Sequence, residues 1–395
     1  VKRTIGSARL AQLGSSIFAE IEHWKQMALA NGQSLIDLGI GSPDRPPSPR
    51  VREALAQAVS NPQNYRYPTS QGTLALRQAI ARWFERSFAV SLDAEREVLV
   101  LMGTQDGLAH IGLALADQGD RAIIPDPCYP IYAANLLLAG VEPYYLTHHE
   151  SNAYMPDFSR IPEEVAQQAR LMILSYPSNP LAAVAEPHVL DEAVAYCRAR
   201  NIVLAHDYAY SEMLFAGRAK YSVLQAPGAK DCAVEFHSFS KSFQMAGCRI
   251  GFVVGNAEVI AALAKLKANI DYGVFLAVQE AAIVALEEER EQPTVADLYE
   301  SRSRFFVGEL NRFGWLVQQP EATMFVWARL PAGWSSREFA RQLLLCTGVV
   351  ITPGAAFGQA GEGFVRIALV QELDQLTVAA QRIETFWKEY VYAGQ

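Results

Sequence analysis

Between residues 95 and 255 the chain alternates short apolar runs with longer amphipathic ones. EVLVLMG, DRAIIPD, RLMILSYP, NIVLAHD and RIGFVVG have the length and apolar density of buried strands, whereas TQDGLAHIGLALA, PIYAANLLLAG and HVLDEAVAYCRARN carry helical periodicity. Strands that alternate with helices predict an α/β sheet covered on both faces. Ligands of such sheets bind beyond the carboxyl ends of the strands. The Pro-rich tract SPDRPPSPR, residues 42 to 50, predicts a break between an N-terminal piece and the main domain. Past residue 285, helical stretches lead into WLVQQPEATMFVWARLP and FVRIALV, which read as a small α+β unit that the two distant chain ends could build jointly. The expected division is residues 1–45 as an N-terminal arm and part of the small domain, 46–285 as the large domain and 286–395 as the C-terminal small domain.

Composition changes this picture little. The 395 residues are half apolar and carry a formal charge of -8, with both signs interspersed and no basic patch, which argues against a nucleic-acid partner. The five cysteines are scattered, without a C-x-x-C pair, so a reducing, cytoplasmic setting is expected. No apolar h-region opens the sequence and no run of bilayer length occurs, so neither a signal peptide nor a membrane segment is expected.

Candidate chemistry gathers after the strands. Asn179 follows RLMILSYP, Asp207 ends NIVLAHD, Tyr210 lies three residues on, and Lys241 follows VEFHSFS. Together they offer an amide, a carboxylate, a phenol and an amine at one sheet edge. In SFSKSFQMAGCRIG the lysine is flanked by serines and followed by Arg249. Arginine's planar fork and serine hydroxyls suit a phosphate, and a reactive lysine is desolvated or committed to a Schiff base. Pyridoxal phosphate joins both needs in one molecule, an aldehyde and a phosphate.

This tract resembles the lysine motif of the class I/II aminotransferases of fold type I, pyridoxal-phosphate enzymes. LGIGSPD, YRYPTSQGTLALRQAI, MGTQDGLAHIGLAL, PDPCYPIY, YPSNP, HDYAY and FVRIAL follow in the family's order across nearly the whole chain. QAPGAKD, DYGVF and ATMFVWARLP are most similar to bacterial alanine and LL-diaminopimelate aminotransferases. The resemblance implies a large domain with a mostly parallel seven-stranded sheet flanked by helices, plus a smaller α+β domain. It implies that Lys241 forms the Schiff base and moves the substrate α-proton, and that Ser238, Ser240 and Arg249 hold the phosphate with Thr104 and Gln105. A helix start is independently suited to an anion. Asp207 would keep the pyridine nitrogen protonated, Asn179 and Tyr210 would hydrogen-bond the ring oxygen, and Tyr129 would stack on the ring. Arg366 would clamp the substrate α-carboxylate beside the backbone of Gly41, with Tyr272 as a pocket wall. Tyr67 would reach the phosphate of a neighbouring subunit, which implies a homodimer with shared sites. Three departures stand out: Leu181-Ala182 where the family has Thr-Gly, Tyr208 where glutamate is common, and Cys248 where tryptophan often stands.

The implied reaction moves an amino group between an L-amino acid and a 2-oxo acid, with glutamate and 2-oxoglutarate as one pair and alanine, aspartate or LL-diaminopimelate as candidate donors. A β-lyase or decarboxylase on the same scaffold is the alternative, since one cofactor site serves several bond cleavages. An aminotransferase-like sensor domain of a transcription regulator would need the basic surface that the chain lacks. Asp44 occupies the third glycine position of a dinucleotide fingerprint in GIGSPD, so that signal is missing. His148, His149 and Glu150 read as a solvated turn rather than a metal site, and MFVWARL reads as a core strand.

Overall fold

The computed structural model describes residues 5–13, 17–288 and 294–392; residues 1–4 and 14–16 of the expected N-terminal arm lie outside that set. Twelve strands are described in chain order: β1 (Ile36–Asp37), β2 (Val98–Leu101), β3 (Arg121–Asp126), β4 (Glu142–Thr147), β5 (Ala169–Ser175), β6 (Val203–Asp207), β7 (Ala233–Ser238), β8 (Gly251–Gly255), β9 (Phe325–Arg329), β10 (Val349–Val350), β11 (Thr352–Pro353) and β12 (Phe364–Ala368). Seven of them form one sheet in the order β2-β8-β7-β6-β5-β3-β4. Its pairs are parallel from β4 through β7, and β8 runs antiparallel to both of its neighbours.

The apolar runs are continuous because both faces of the sheet are covered. Met172 and Leu174 of β5 point into one core with Leu204, Phe252 and Val254, under helices Leu74–Phe88, Pro187–Arg200 and Leu276–Glu287. The alternate residues Leu171 and Ile173 enter a second core with Ala205, Val234 and Val253, under helices Thr104–Leu115, Ile131–Ala139 and Ala257–Lys267. A period of two thus serves two cores, the expected form of a parallel sheet. Helix Leu74–Phe88 follows the same logic at period 3.6: Leu76, Ala79, Ile80 and Trp83 share its buried face, and the Thr73 hydroxyl caps its start.

A third core holds the C-terminal elements. Phe306, Trp315, Phe339, Val365, Ile367 and Phe386 pack there together with Ile36 and Leu38 from the far end of the chain. Strand β1 pairs in parallel with β10, Ile36 opposite Val349, and β12 lies between β11 and β9. The Ala368 N–H donates to the Leu38 carbonyl at 2.8 Å, so the segment Leu38–Ser42 is laid along β12.

Two strands of the seven-stranded sheet, β4 and β7, lie outside the apolar runs read from the sequence. β4 is an edge strand, EPYYLT, whose proline is tolerated because only one side is paired. β7, AVEFHS, carries a glutamate and a histidine in a central strand. Glu235 is fully buried, and its carboxylate accepts from His206 Nδ1 (2.9 Å), His237 Nε2 (2.8 Å), the Ser222 hydroxyl (2.8 Å) and the Val223 N–H (2.8 Å). Burial alone would raise its pKa, but the hydrogen bonds from His206 and His237 outweigh it and hold the carboxyl near about 2.

The turn His148–Glu150 is solvated only in part: His149 is exposed as expected, but His148 is buried. The His148 N–H pairs with the Asp126 carbonyl at 2.9 Å, which carries its ring inward against Tyr176, and burial lowers its pKa to about 4. Glu150 pairs with Arg329. Removing the Glu235 carboxylate strands four buried donors, so Glu235→Ala should lower the unfolding free energy by about 3 kcal/mol or more. Urea denaturation checks this; a midpoint within error of the parent would refute it.

Candidate active site

The parallel strands end along one edge, and a cleft of about 670 Å³ opens there. Its wall includes Asp207 from the end of β6, Ser238 from the end of β7, Asn179 from the turn after β5, and Arg366 from β12. Gly41, Thr104, Gln105, Tyr129, Tyr210, Ser240, Lys241 and Arg249 complete the set of expected residues that the fold brings together. Tyr67 and Tyr272 are not among the residues lining it. Their rings meet at a tilt, 5.2 Å between centroids, and the two residues are 84% and 65% exposed.

Lys241 sits in the one-turn helix Phe239–Ser242 directly after β7. Its Nζ donates to the Gly41 carbonyl, and burial, then the charges of Arg366 and Arg249, push its pKa down to about 8. Arg366 is 4% exposed. Its Nη1 donates to Asn179 Oδ1 at 2.7 Å, its Nη2 donates to the Gly39 carbonyl at 2.6 Å, and its plane lies over the rings of Phe325 and Phe357 at 4.3 and 4.7 Å. The Nε is buried without an acceptor, and no carboxylate among the described residues pairs with this guanidinium. Burial lowers its pKa to about 10.

Asp207 is buried, which raises its pKa, opposed by the Tyr132 hydroxyl at 2.7 Å from Oδ2 and the Ala209 N–H at 3.2 Å from Oδ1. The Tyr129 hydroxyl donates to Gln105 Oε1 at 3.0 Å. Tyr210 packs edge-on against Phe325 at 5.7 Å. At the far end, helix Thr104–Leu115 starts behind Gly103, which offers no side-chain cap, so the first N–H groups lack an intrahelical acceptor. A Cβ on Gly103 would come within 2.6 Å of Arg249 Nη2, and its φ of +81° suits glycine, so the turn admits the guanidinium only as glycine.

Several lining residues escaped the sequence reading: Phe18, Ile40, Ser42 and Phe325. Phe325 belongs to MFVWARL, a core strand as expected, but its ring also faces the cleft. Tyr132, the partner of Asp207, had a signal available: it lies three positions after Tyr129, on a helix start that turns it toward the same strand end.

The family model described as aminotransferase class I and II matches residues 33–383. The chain belongs to the class I and II aminotransferases. It is 43% identical over 376 residues to an LL-diaminopimelate aminotransferase of Moorella thermoacetica, covering 95% of this chain and 96% of that one. An LL-diaminopimelate aminotransferase of Aquifex aeolicus is 40% identical over 379 residues, covering 96% and 98%. Among solved structures, substrate-bound BacF of Bacillus subtilis superposes with a TM-score of 0.94 at 34% identity, covering 97% of this chain and 98% of that one. A probable N-succinyldiaminopimelate aminotransferase of Thermus thermophilus gives 0.88 at 37% identity, covering 94% and 100%.

Enzymes of this family work with pyridoxal phosphate, and the donor set fits that molecule. The uncapped helix start, two serines and Arg249 suit its phosphate, while Asp207 offers a carboxylate and Lys241 an amine with depressed pKa. Among the described residues, no helix is long and apolar enough to cross a membrane. Only the unprotonated amine captures an aldehyde, so capture of pyridoxal phosphate by the apoenzyme should rise with pH through a midpoint near 8, set by Lys241. Stopped-flow absorbance from pH 6.5 to 10 measures it. A midpoint near 10, or an unchanged profile in Lys241→Ala, would contradict the assignment.

Proposed function

We propose that this aminotransferase moves the amino group of an L-amino acid to 2-oxoglutarate, giving glutamate, in the cleft around Lys241. The observation that carries the reading is Arg366, a buried guanidinium with an orphaned Nε and no carboxylate partner among the described residues, beside the Lys241 amine. An α-carboxylate supplies the missing anion, and the fork binds it in two places.

When bound, pyridoxal phosphate supplies an aldehyde that joins the substrate amine and a protonated ring that accepts the electrons of the bond broken at the α-carbon. Asp207 holds the ring-nitrogen proton, and Tyr132 holds Asp207. Lys241 removes and returns the α-proton at its Nζ. Asn179 gives its amide oxygen to Arg366 and keeps its NH2 for the ring oxygen, alongside the Tyr210 hydroxyl. Tyr129, oriented by its hydrogen bond to Gln105, would pack against the ring. Ser238, Ser240, Arg249, Thr104 and Gln105 take the phosphate, and Gly41 presents backbone to the substrate carboxylate.

LL-diaminopimelate stands ahead of alanine and aspartate as the donor, because relatives 40% and 43% identical over 95% or more of the chain carry that name. Its distal charges, like the distal carboxylate of 2-oxoglutarate, need partners beyond one subunit. Arg249, Lys241 and Arg366 are the only cations among the described lining residues, and the apolar lining includes Phe18, Ile40 and Phe325. A second copy would supply them. Tyr65, Tyr67, Ile270, Tyr272 and Phe275 form an exposed apolar patch suited to that copy, with Tyr67 reaching its phosphate. The proposed setting is cytoplasmic, and the proposed units are 1–45 with 286–395 around the C-terminal core, and 46–285 around the sheet.

A donor panel tests the reaction. LL-diaminopimelate alone should convert the bound cofactor to pyridoxamine phosphate, and 2-oxoglutarate should reverse it. Arg366→Lys should raise KM for every donor by ~10-fold or more, since a point charge cannot replace the fork. A KM change confined to one class of side chain would place Arg366 at the substrate side chain instead.

Shared sites are tested by complementation. A mixed dimer of Tyr67→Ala and Lys241→Ala chains has one intact site if Tyr67 serves the partner, so activity should return on co-refolding. If a verified heterodimer stays inactive, Tyr67 serves its own subunit.

A further inference from the structure

Lys267 closes helix Ala257–Lys267 and is 3% exposed, an unusual burial for an ammonium. Its Nζ donates to Asp106 Oδ2 at 2.7 Å and to both oxygens of Asp271 at 2.8 and 2.7 Å. Asp106 is the third residue of helix Thr104–Leu115, the helix whose uncapped start lies in the cleft. An acid in a first turn stabilises a helix and commonly turns back onto its free N–H groups. Here the carboxylate is directed elsewhere. Oδ2 accepts from the Met102 N–H at 2.9 Å as well as from Lys267, and Oδ1 meets His110 Nδ1 at 3.0 Å.

The placement creates a conflict that Lys267 resolves. A phosphate dianion at the helix start and a carboxylate in the same first turn compete for the same donors and repel each other. We propose that Lys267 is a positioning residue for the cofactor phosphate: it holds the Asp106 carboxylate away from the N–H groups of Thr104 and Gln105 and screens its charge, leaving that helix start to the phosphate. The proposal rests on the reading that the phosphate occupies this helix start beside Arg249. The same ammonium fixes Asp271, whose Oδ1 takes the Gly273 N–H at 2.6 Å and so anchors the turn that carries Tyr272 against Tyr67.

The measurement is equilibrium binding of pyridoxal phosphate and of pyridoxal, which lacks the phosphate, to the apoenzyme by absorbance titration. The ratio of the two affinities isolates the phosphate contribution. Lys267→Met should cut that ratio ~10-fold, the scale of a charge at a partly buried helix terminus. Lys267→Arg should keep it, and Asp106→Asn combined with Lys267→Met should restore most of it, because the repelling charge is gone. Asp106→Asn alone should leave the ratio unchanged or raise it, and this variant keeps the buried cation paired with Asp271 should Lys267→Met fail to fold.

Equal loss of both affinities in Lys267→Met, no recovery in the double variant, or a lower ratio in Asp106→Asn would overturn the role of Lys267. If Arg249→Ala leaves the wild-type ratio intact, the phosphate lies elsewhere, and that reading falls together with the proposal.

Discussion

A primary amine loses its proton at lower pH when it is kept from water or set beside positive charge, and the cleft does both to Lys241, bringing its pKa down to about 8. Concentrating Lys241, Arg249 and Arg366 around one cavity is costly unless each cation has acceptors of its own. Carbonyl groups provide most of them. Gly41 receives Lys241, Gly39 and Asn179 receive Arg366, and Ala246 receives Arg249 at 3.0 Å. Neutral acceptors satisfy the donors without restoring the negative charge that would raise the amine pKa again. The segment Leu38–Ser42 therefore governs the site, and it is held by β1–β10 pairing and by Ala368 rather than by anything in the large sheet.

Two buried carboxylates on neighbouring strands show how donor count separates structure from function. Glu235 has four donors, and its pKa falls to about 2. Asp207 has two, and burial keeps its pKa raised. The first carboxylate is saturated and can only hold strands β6 and β7 to the turn at Ser222. The second retains unused acceptor capacity facing the cleft. A cation or N–H donor arriving there lowers its pKa and is bound more firmly for doing so, which is the behaviour required of a partner to a protonated ring nitrogen.

How much of this was legible in the sequence depended on whether a signal was local. Runs such as RLMILS and NIVLAHD show buried strands because both their faces are apolar, and the polar residues that end them mark the sheet edge. β7 was obscured because Glu235 is satisfied by His206, Ser222 and Val223 from other elements as well as by His237 on its own strand, which no apolar pattern shows. His148 looked solvated for the same reason: its ring is buried by Tyr176, twenty-eight residues away. Twelve of the fourteen expected site residues line the cleft because the motif spacings follow strand ends, whereas Tyr67 and Tyr272 belong to a surface whose partner is another chain on the proposed reading. Phe18 carried no motif, and Ile40 lies within LGIGSPD without a chemical group to single it out, since an apolar wall is defined only by what it faces.

The division of contacts has a further consequence. Nearly every group assigned to the cofactor comes from the large sheet and its helices: Asp207, Ser238, Lys241, Arg249 and the start of helix Thr104–Leu115. The group assigned to the α-carboxylate, Arg366, comes from β12, and apolar lining comes from Phe18, Ile40 and Phe325. On the proposed assignment, cofactor retention and substrate recognition are carried by different packing units, joined through Asn179, whose amide oxygen accepts from Arg366 while its turn follows β5. On the proposed reading, substitutions of Phe18, Ile40 and Phe325 change which side chain is accepted while leaving the charges around Lys241 in place. On that reading, one architecture can appear under different substrate names, as it does in a relative named for LL-diaminopimelate and a structural neighbour named for N-succinyldiaminopimelate.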